Sequence, residues 1–255
     1  MQSKHSSIRR RPRQQGVALF VVIVFVMLSM LLALWASRTS LFNEIIVGND
    51  ADYQRAFEAA QALLQDAELD IRGENPDGNP CTGANCRDTI GSAYKIPLET
   101  QEVTPLLADL DQQATKCLSG LCTKRAGRQD FWNTSSSTTL APGETRLADM
   151  TQPAVGARYG QYSGAATGST SAPASPILAD RSANDRGGWY WIEVLPYDKS
   201  SETSGLIVGG PATDNLLRLN LVPNVAYRIT ALAYGLKPGT LAVLQQTYVR
   251  QMRKD

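Results

Sequence analysis

Four cysteines, Cys81, Cys86, Cys117 and Cys122, stand in the 255-residue chain as two Cys-x4-Cys pairs. Thiols so spaced can close small disulfide loops or contribute to a metal site. Zinc ligand pairs usually stand about two to four residues apart and often recruit histidine, whereas the one histidine here is His5, in a basic head far from the cysteines. In an exported chain an even cysteine count reads as disulfides. Four cysteines allow about three connectivities and the sequence does not choose among them; the local pairs, Cys81 with Cys86 and Cys117 with Cys122, are the working expectation.

Other residue groupings carry less chemistry. The run Glu74-Asn75-Pro76-Asp77-Gly78-Asn79 offers the oxygen side chains that calcium uses, but it lacks the spaced ligand series and distant glutamate of an EF-hand loop, and turns favour the same residues for backbone reasons. No histidine follows His5, which removes Ser-His and Cys-His pairs, an HExxH zinc site and histidine acid–base catalysis. Gly187-Gly188 and Gly209-Gly210 lack phosphate-binding spacings. The expectation is a protein that is not an enzyme, with no cofactor and no metal.

The elements that carry these residues begin with a membrane segment. Val17 to Ala36 reads VALFVVIVFVMLSMLLALWA, interrupted only by Ser29. Twenty helical residues span roughly 30 Å, the thickness of a bilayer's hydrocarbon core. Lys4, Arg9, Arg10, Arg11 and Arg13 precede the run and no acidic residue does, so the head is expected to stay in the cytoplasm and the chain beyond Ser37 to lie outside the inner membrane. Of 25 Lys plus Arg, five lie in that head, leaving the remainder mildly acidic against 24 Asp plus Glu. That balance gives no support to nucleic-acid binding.

The apolar run is longer than the core of an ordinary secretory signal and lacks its small-x-small ending. A plain anchor and a leader cut after Gly16 remain, the second placing the cut between basic head and apolar run. Helical patterning then continues through Gly73 without a proline: Tyr53, Ala56, Ala60, Leu63, Ala67 and Ile71 recur at spacings of three and four, one face of a helix. Gly73, with Asn75-Pro76 behind it, supplies a stop. From Val17 to Arg72 this predicts a helix of roughly 80 Å, apolar all round in its first half and amphipathic in its second.

Beyond Gly73 the composition turns to loops tied by the cysteines. From Asn133 to Gly188 it is rich in Ser, Thr, Ala, Gly and Pro, a surface excursion with short strands expected near Tyr159 to Tyr162. Strands are predicted at Trp189 to Leu195, closed by Pro196, at Tyr227 to Tyr234 and at Leu241 to Val249, the last two a hairpin around Gly235 to Thr240. A weaker strand is expected around Leu216 to Val222. The fold class is therefore α+β: a long N-terminal helix packed on a C-terminal antiparallel sheet of about four strands, with Trp189, Tyr190, Trp191 and Tyr227 as core. The expected organisation is a leader over 1–16, a transmembrane half-helix over 17–36, an amphipathic half over 37–73, loops over 74–188 and the sheet over 189–255.

Gly16-Val17-Ala18-Leu19, the stretch IIVGNDADYQRAFEAAQALLQDAE from Ile45 to Glu68, and the ending YRITALAYGLKPGTLAVLQQTYVRQ from Tyr227 to Gln251 resemble the PilX-type minor pilins of type IV pili, relatives of the GspK-like pseudopilins. The resemblance implies cleavage after Gly16 by a prepilin peptidase, N-methylation of Val17, and release from membrane lipid into a pilus at the cell exterior. Val17 departs from the usual phenylalanine, and Val21 stands where major pilins carry a glutamate that neutralises a neighbour's buried amino terminus. A subunit without it fits the top of a stack, which implies a place at the filament tip or in its priming complex, with adhesion as a consequence. Implied partners are other minor pilins, the major pilin, the prepilin peptidase and the inner-membrane assembly platform. A type II secretion pseudopilin and an uncleaved, membrane-anchored periplasmic binding domain are the alternative readings.

Overall fold

The computed structural model describes residues 15–87, 95–125, 127–134, 139–169, 171–196 and 223–250. Most of the leader, the strand expected around Leu216 to Val222 and Gly209-Gly210 lie outside them. Helix α1 runs over Gln15–Arg72, 58 residues without interruption. It ends where Gly73 takes a left-handed φ of 69°. The Gly73 N–H donates to Asp70 C=O at 3.2 Å and the Glu74 N–H to Leu69 C=O at 3.0 Å, the paired bonds of a Schellman cap that glycine enters without Cβ strain.

The chain divides into two units, residues 1–50 and 51–255. In the first, α1 is exposed along its whole apolar run. In the second, α1 buries Ala56, Ala59, Ala60, Leu63, Leu64, Ala67 and Ile71 against the sheet. Tyr53, placed on that face by spacing, is instead 47% exposed; Asp52 is the buried residue at this turn. The alanines let sheet and helix approach closely, and so does Gly188, where an added Cβ would sit 2.6 Å from Leu63 Cδ1.

The sheet has five strands in the order β1-β2-β5-β6-β7, and it is mixed rather than antiparallel. Strands β5 (Gly188–Pro196), β6 (Val225–Tyr234) and β7 (Leu241–Tyr248) form an antiparallel meander. β1 (Cys117–Leu118) and β2 (Leu121–Cys122) make a minimal hairpin, and β2 pairs parallel to β5 through Leu121 opposite Ile192. Parallel pairing requires a long crossover, which the chain between β2 and β5 supplies. A separate two-stranded ribbon joins β3 (Gly168–Ser169) to β4 (Ala172–Pro173).

Between α1 and the meander the chain also forms α2 (Thr100–Asp111), whose Val103, Leu106 and Leu110 are buried, and the single turns α3 (Leu147–Met150) and α4 (Pro176–Ala179). Tyr159 to Tyr162 is a turn and not a strand; its neighbour Ala157 forms an isolated bridge to Tyr190. Both sheet faces are covered, as the alternation of strand side chains demands. Tyr190, Ile192, Val194, Tyr227 and Ile229 meet α1 and α2, whereas Trp189, Trp191 and Leu232 pack on the other face with Phe131, Met150 and the Cys117–Cys122 bridge. All four aromatic residues assigned to the core are buried.

Candidate functional site

The first unit contributes an apolar rod. Val17 is 67% exposed, Val21 43% and Trp35 72%, and every large apolar side chain between them is also exposed. A soluble protein does not leave such a surface in water at roughly 25 cal/mol per Å² of apolar area; a bilayer or a bundle of like helices is the environment that suits it. One helix here is long and apolar enough to cross a membrane. Gly16 and Val17 lie within its first turn.

The second unit holds a set of buried charges that tie loops to α1. Asp52, at the start of the buried face, accepts the N–H groups of Leu236 at 2.9 Å and Lys237 at 3.0 Å, at the tip of the β6–β7 hairpin. Burial works against the charged form of this carboxyl, yet those two amides and the Thr240 hydroxyl outweigh it and leave its pKa lowered.

Nearly four helical turns further along, Asp66 accepts the Gly160 N–H at 2.8 Å and the Ser163 hydroxyl. Burial raises its pKa to about 6 against the pull of these donors, and the neighbouring Asp70 carboxylate adds to the rise. One turn further, Asp70 pairs with the Arg87 guanidinium and accepts the Tyr190 hydroxyl at 3.0 Å. Arg87 also lies over the Tyr162 ring at 3.9 Å and donates to Ser119 C=O. Burial opposes its charge, but Asp70 more than offsets that and pushes its pKa upward. Asp52, Asp66 and Asp70 thus fasten, in order along α1, the C-terminal hairpin, the 157–165 loop and the segment after the first disulfide.

A second charged group is centred on β5, the middle strand of the sheet. Glu193 on β5 is buried between Arg228, which donates to it through Nε, and Arg125, 3.7 Å away and stacked 4.0 Å over the Phe131 ring. Arg158 lies 3.6 Å over Trp189 and donates to the carbonyls of Ala183 and Arg186. Burial lowers the pKa of Arg125 and of Arg158, each to about 10.

The cysteines form two bridges, Cys81–Cys86 and Cys117–Cys122. Cys117–Cys122 joins directly opposed residues of the β1–β2 hairpin, in the core of the outer face. The Asn75 turn is closed by its own side chain, whose Oδ1 accepts the N–H groups of Asp77 and Asn79. Among the described residues, no group of three His, Cys, Asp or Glu side chains gathers as a metal site. Asp52, Asp66 and Asp70 act as tethers between α1 and the loops of the second unit. None of the tethers is visible in the sequence as a motif, since their partners lie from 17 residues away for Arg87 to 185 for Lys237.

Residues 118–250 match the family model described as type IV pilus assembly protein PilX C-term, and residues 15–65 match the PilX N-terminal model. Comparison with curated proteins and with solved structures gives no match.

Proposed function

The chain belongs to the PilX family of type IV pilus assembly proteins, and we propose that it is a minor pilin that helps to start or cap the filament. The observation that carries this reading is the exposed apolar run of α1, continuous in one helix with the segment that cores the head. Before assembly the run spans the inner membrane, with the basic residues before Gly16 held in the cytoplasm and the head in the periplasm. Prepilin peptidase then cuts after Gly16 and the new amino terminus of Val17 is methylated. In the filament the run leaves lipid for a bundle of like helices from other minor pilins and the major pilin, at the inner-membrane assembly platform.

Val21 supports a place at the tip. At the fifth position of the cut chain a carboxylate would pair with the amino terminus of the next subunit, and valine offers no such partner. A subunit with nothing above it to neutralise has no use for that charge. The head contributes lateral contacts, and adhesion follows from tip exposure.

The test is the intact mass of the full-length protein extracted from membranes with and without a prepilin peptidase. Loss of Met1 to Gly16 with one added methyl group, only when the peptidase is present, is the expected result. An uncut chain beginning at Met1 would overturn the minor-pilin reading in favour of a membrane-anchored periplasmic domain.

A further inference from the structure

The two sulfurs of the Cys81–Cys86 bridge stand in different surroundings. Cys81 is half-exposed, whereas Cys86 is 3% exposed. Cys86 Sγ accepts the Gly83 N–H at 3.0 Å, the kind of donor that stabilises a thiolate and lowers its pKa. Gly164, exposed and without a side chain, borders both sulfurs: a Cβ built there would lie 3.7 Å from Cys81 Sγ and 4.0 Å from Cys86 Sγ. One sulfur is open to attack and the other is set to leave, the asymmetry that favours thiol–disulfide exchange.

The same bridge stands between two of the carboxylate tethers. Cys86 forms an isolated antiparallel bridge with Ser163, whose hydroxyl, with the Gly160 N–H, holds Asp66. The residue after Cys86 is Arg87, which holds Asp70. From Arg72 to Asn85 no residue is buried, so the chain leaving α1 has no core contact of its own before Cys86. Cys81 is instead fixed through its backbone, its N–H donating to Gly73 C=O at 2.8 Å beside the end of α1. The S–S bond carries that position across to Cys86, and from there to both Ser163 and Arg87.

We propose that Cys81–Cys86 is a thiol-exchange site for a protein dithiol of the thioredoxin class, and that opening it loosens the loops from Asp66 and Asp70, a redox latch on the head. The attacking thiolate bonds to Cys81 Sγ as the S–S bond breaks, and the electron pair leaves on Cys86 Sγ, which takes up a proton. The second thiol of the dithiol then attacks the mixed disulfide and Cys81 leaves as a thiol. The donor ends as a disulfide, and two electrons and two protons have passed to the cysteine pair. Closure by a disulfide of the same class is the reverse. The proposal goes beyond the minor-pilin reading and does not need it, since it rests on residues of the second unit alone.

The experiment treats the full-length protein in detergent with a thioredoxin whose resolving cysteine is replaced by serine, which traps the mixed disulfide. The expected adduct is on Cys81, with Cys86 free for alkylation and Cys117–Cys122 closed, as read by peptide mass. No adduct, or one on Cys86 or on the inner pair, would overturn the exchange site. Intact reduced thioredoxin then opens the bridge, and hydrogen exchange is followed at the Gly160 amide. Its rate should rise about tenfold or more, up to the roughly 30-fold that the chain entropy of so short a loop allows, while Ile229 at the centre of the sheet is unchanged. A Gly160 rate that does not move, or equal acceleration at Ile229, sinks the latch. Cys81→Ala combined with Cys86→Ala gives a second reading without reductant. In that background Arg87→Ala should shift the unfolding midpoint by less than half of its shift in the parent, because a latch makes the two changes non-additive. Equal shifts would show that bridge and arginine act independently, and would overturn the latch.

Discussion

Arg87 grips the Asp70 carboxylate through both Nε and Nη2, with each side chain almost entirely shielded from water. Asp70 lies on the buried face of α1 and Arg87 follows the first disulfide, so the pair joins the helix to the loop that begins the head's irregular half. A buried ion pair need not add net stability, because the desolvation of both groups opposes their attraction. Breaking it from one side, however, leaves a charge with no solvent.

Arg87→Ala should therefore destabilise the head by about 3–5 kcal/mol, measured by denaturant unfolding of the full-length protein in detergent. Arg87→Met combined with Asp70→Leu removes both charges and should recover a large part of that loss. A single variant as stable as the parent would mean that the Tyr190 hydroxyl, which Asp70 already accepts, suffices to hold the carboxylate without Arg87.

Asp66 gives a pH dependence whose sign can be worked out. Its folded pKa of about 6 stands above the reference value of 3.8, so the folded chain binds this proton more tightly than the unfolded one. The contribution to stability is full below the unfolded value and is lost as pH rises through the folded one, a swing of about 3 kcal/mol for a shift of this size. Asp66→Asn has no proton to exchange. The stability of the parent minus that of the variant should fall between about pH 4 and pH 7, and a difference that stays flat or rises would refute the assignment.

How much of this was readable beforehand depended on the range of each interaction. The end of α1 at Gly73 and the β6–β7 hairpin follow from local chemistry, a glycine with left-handed φ and a Gly-Leu-Lys-Pro-Gly turn, and local chemistry is written in consecutive residues. α2 was obscured by Pro105 within it. Its signals were present all the same: Val103, Leu106 and Leu110 at helical spacing, and Glu102, whose carboxylate accepts the N–H groups of Leu98 and Glu99 at the helix start. Ser119 and Gly120, both at positive φ, mark the β1–β2 turn, and the Ser-Gly pair between Leu118 and Leu121 was the clue to it. The parallel pairing of β2 with β5 had no such clue, because two residues carry no periodicity. Nor did the tethers at Asp52, Asp66 and Asp70, each of which looks like an ordinary polar position on an amphipathic helix until its distant partner is placed.

The Asp52 tether predicts a local effect. Asp52→Ala deprives the Leu236 and Lys237 N–H groups of their acceptor, and because both residues lie at the exposed hairpin tip the cost should be the modest net worth of a hydrogen bond, about 1 kcal/mol. Hydrogen exchange should accelerate at these two amides, with little change at Tyr190 or Ile192 in the centre of the sheet. Equal acceleration in the centre would show that the hairpin tip and the sheet open together.

The two disulfides should part under mild reduction. Thiol–disulfide exchange needs a thiolate to reach a sulfur. Cys117 and Cys122 are both buried beneath Phe131, Met150 and the tryptophan face, whereas Cys81 is half-exposed in the loop after α1. Cys81–Cys86 should therefore open at lower concentrations of a small dithiol, followed by alkylation and peptide mass, with Cys117–Cys122 opening only as the head unfolds. Each closes a short loop, for which the chain-entropy account gives about 2 kcal/mol. Loss of the inner bridge should cost more than that, because Cys117 and Cys122 are also buried in the core that contains Phe131 and Trp191, and replacing both with alanine leaves a cavity there. If the inner bridge opened first, the packing of that face would have to be looser than the burial of its side chains implies.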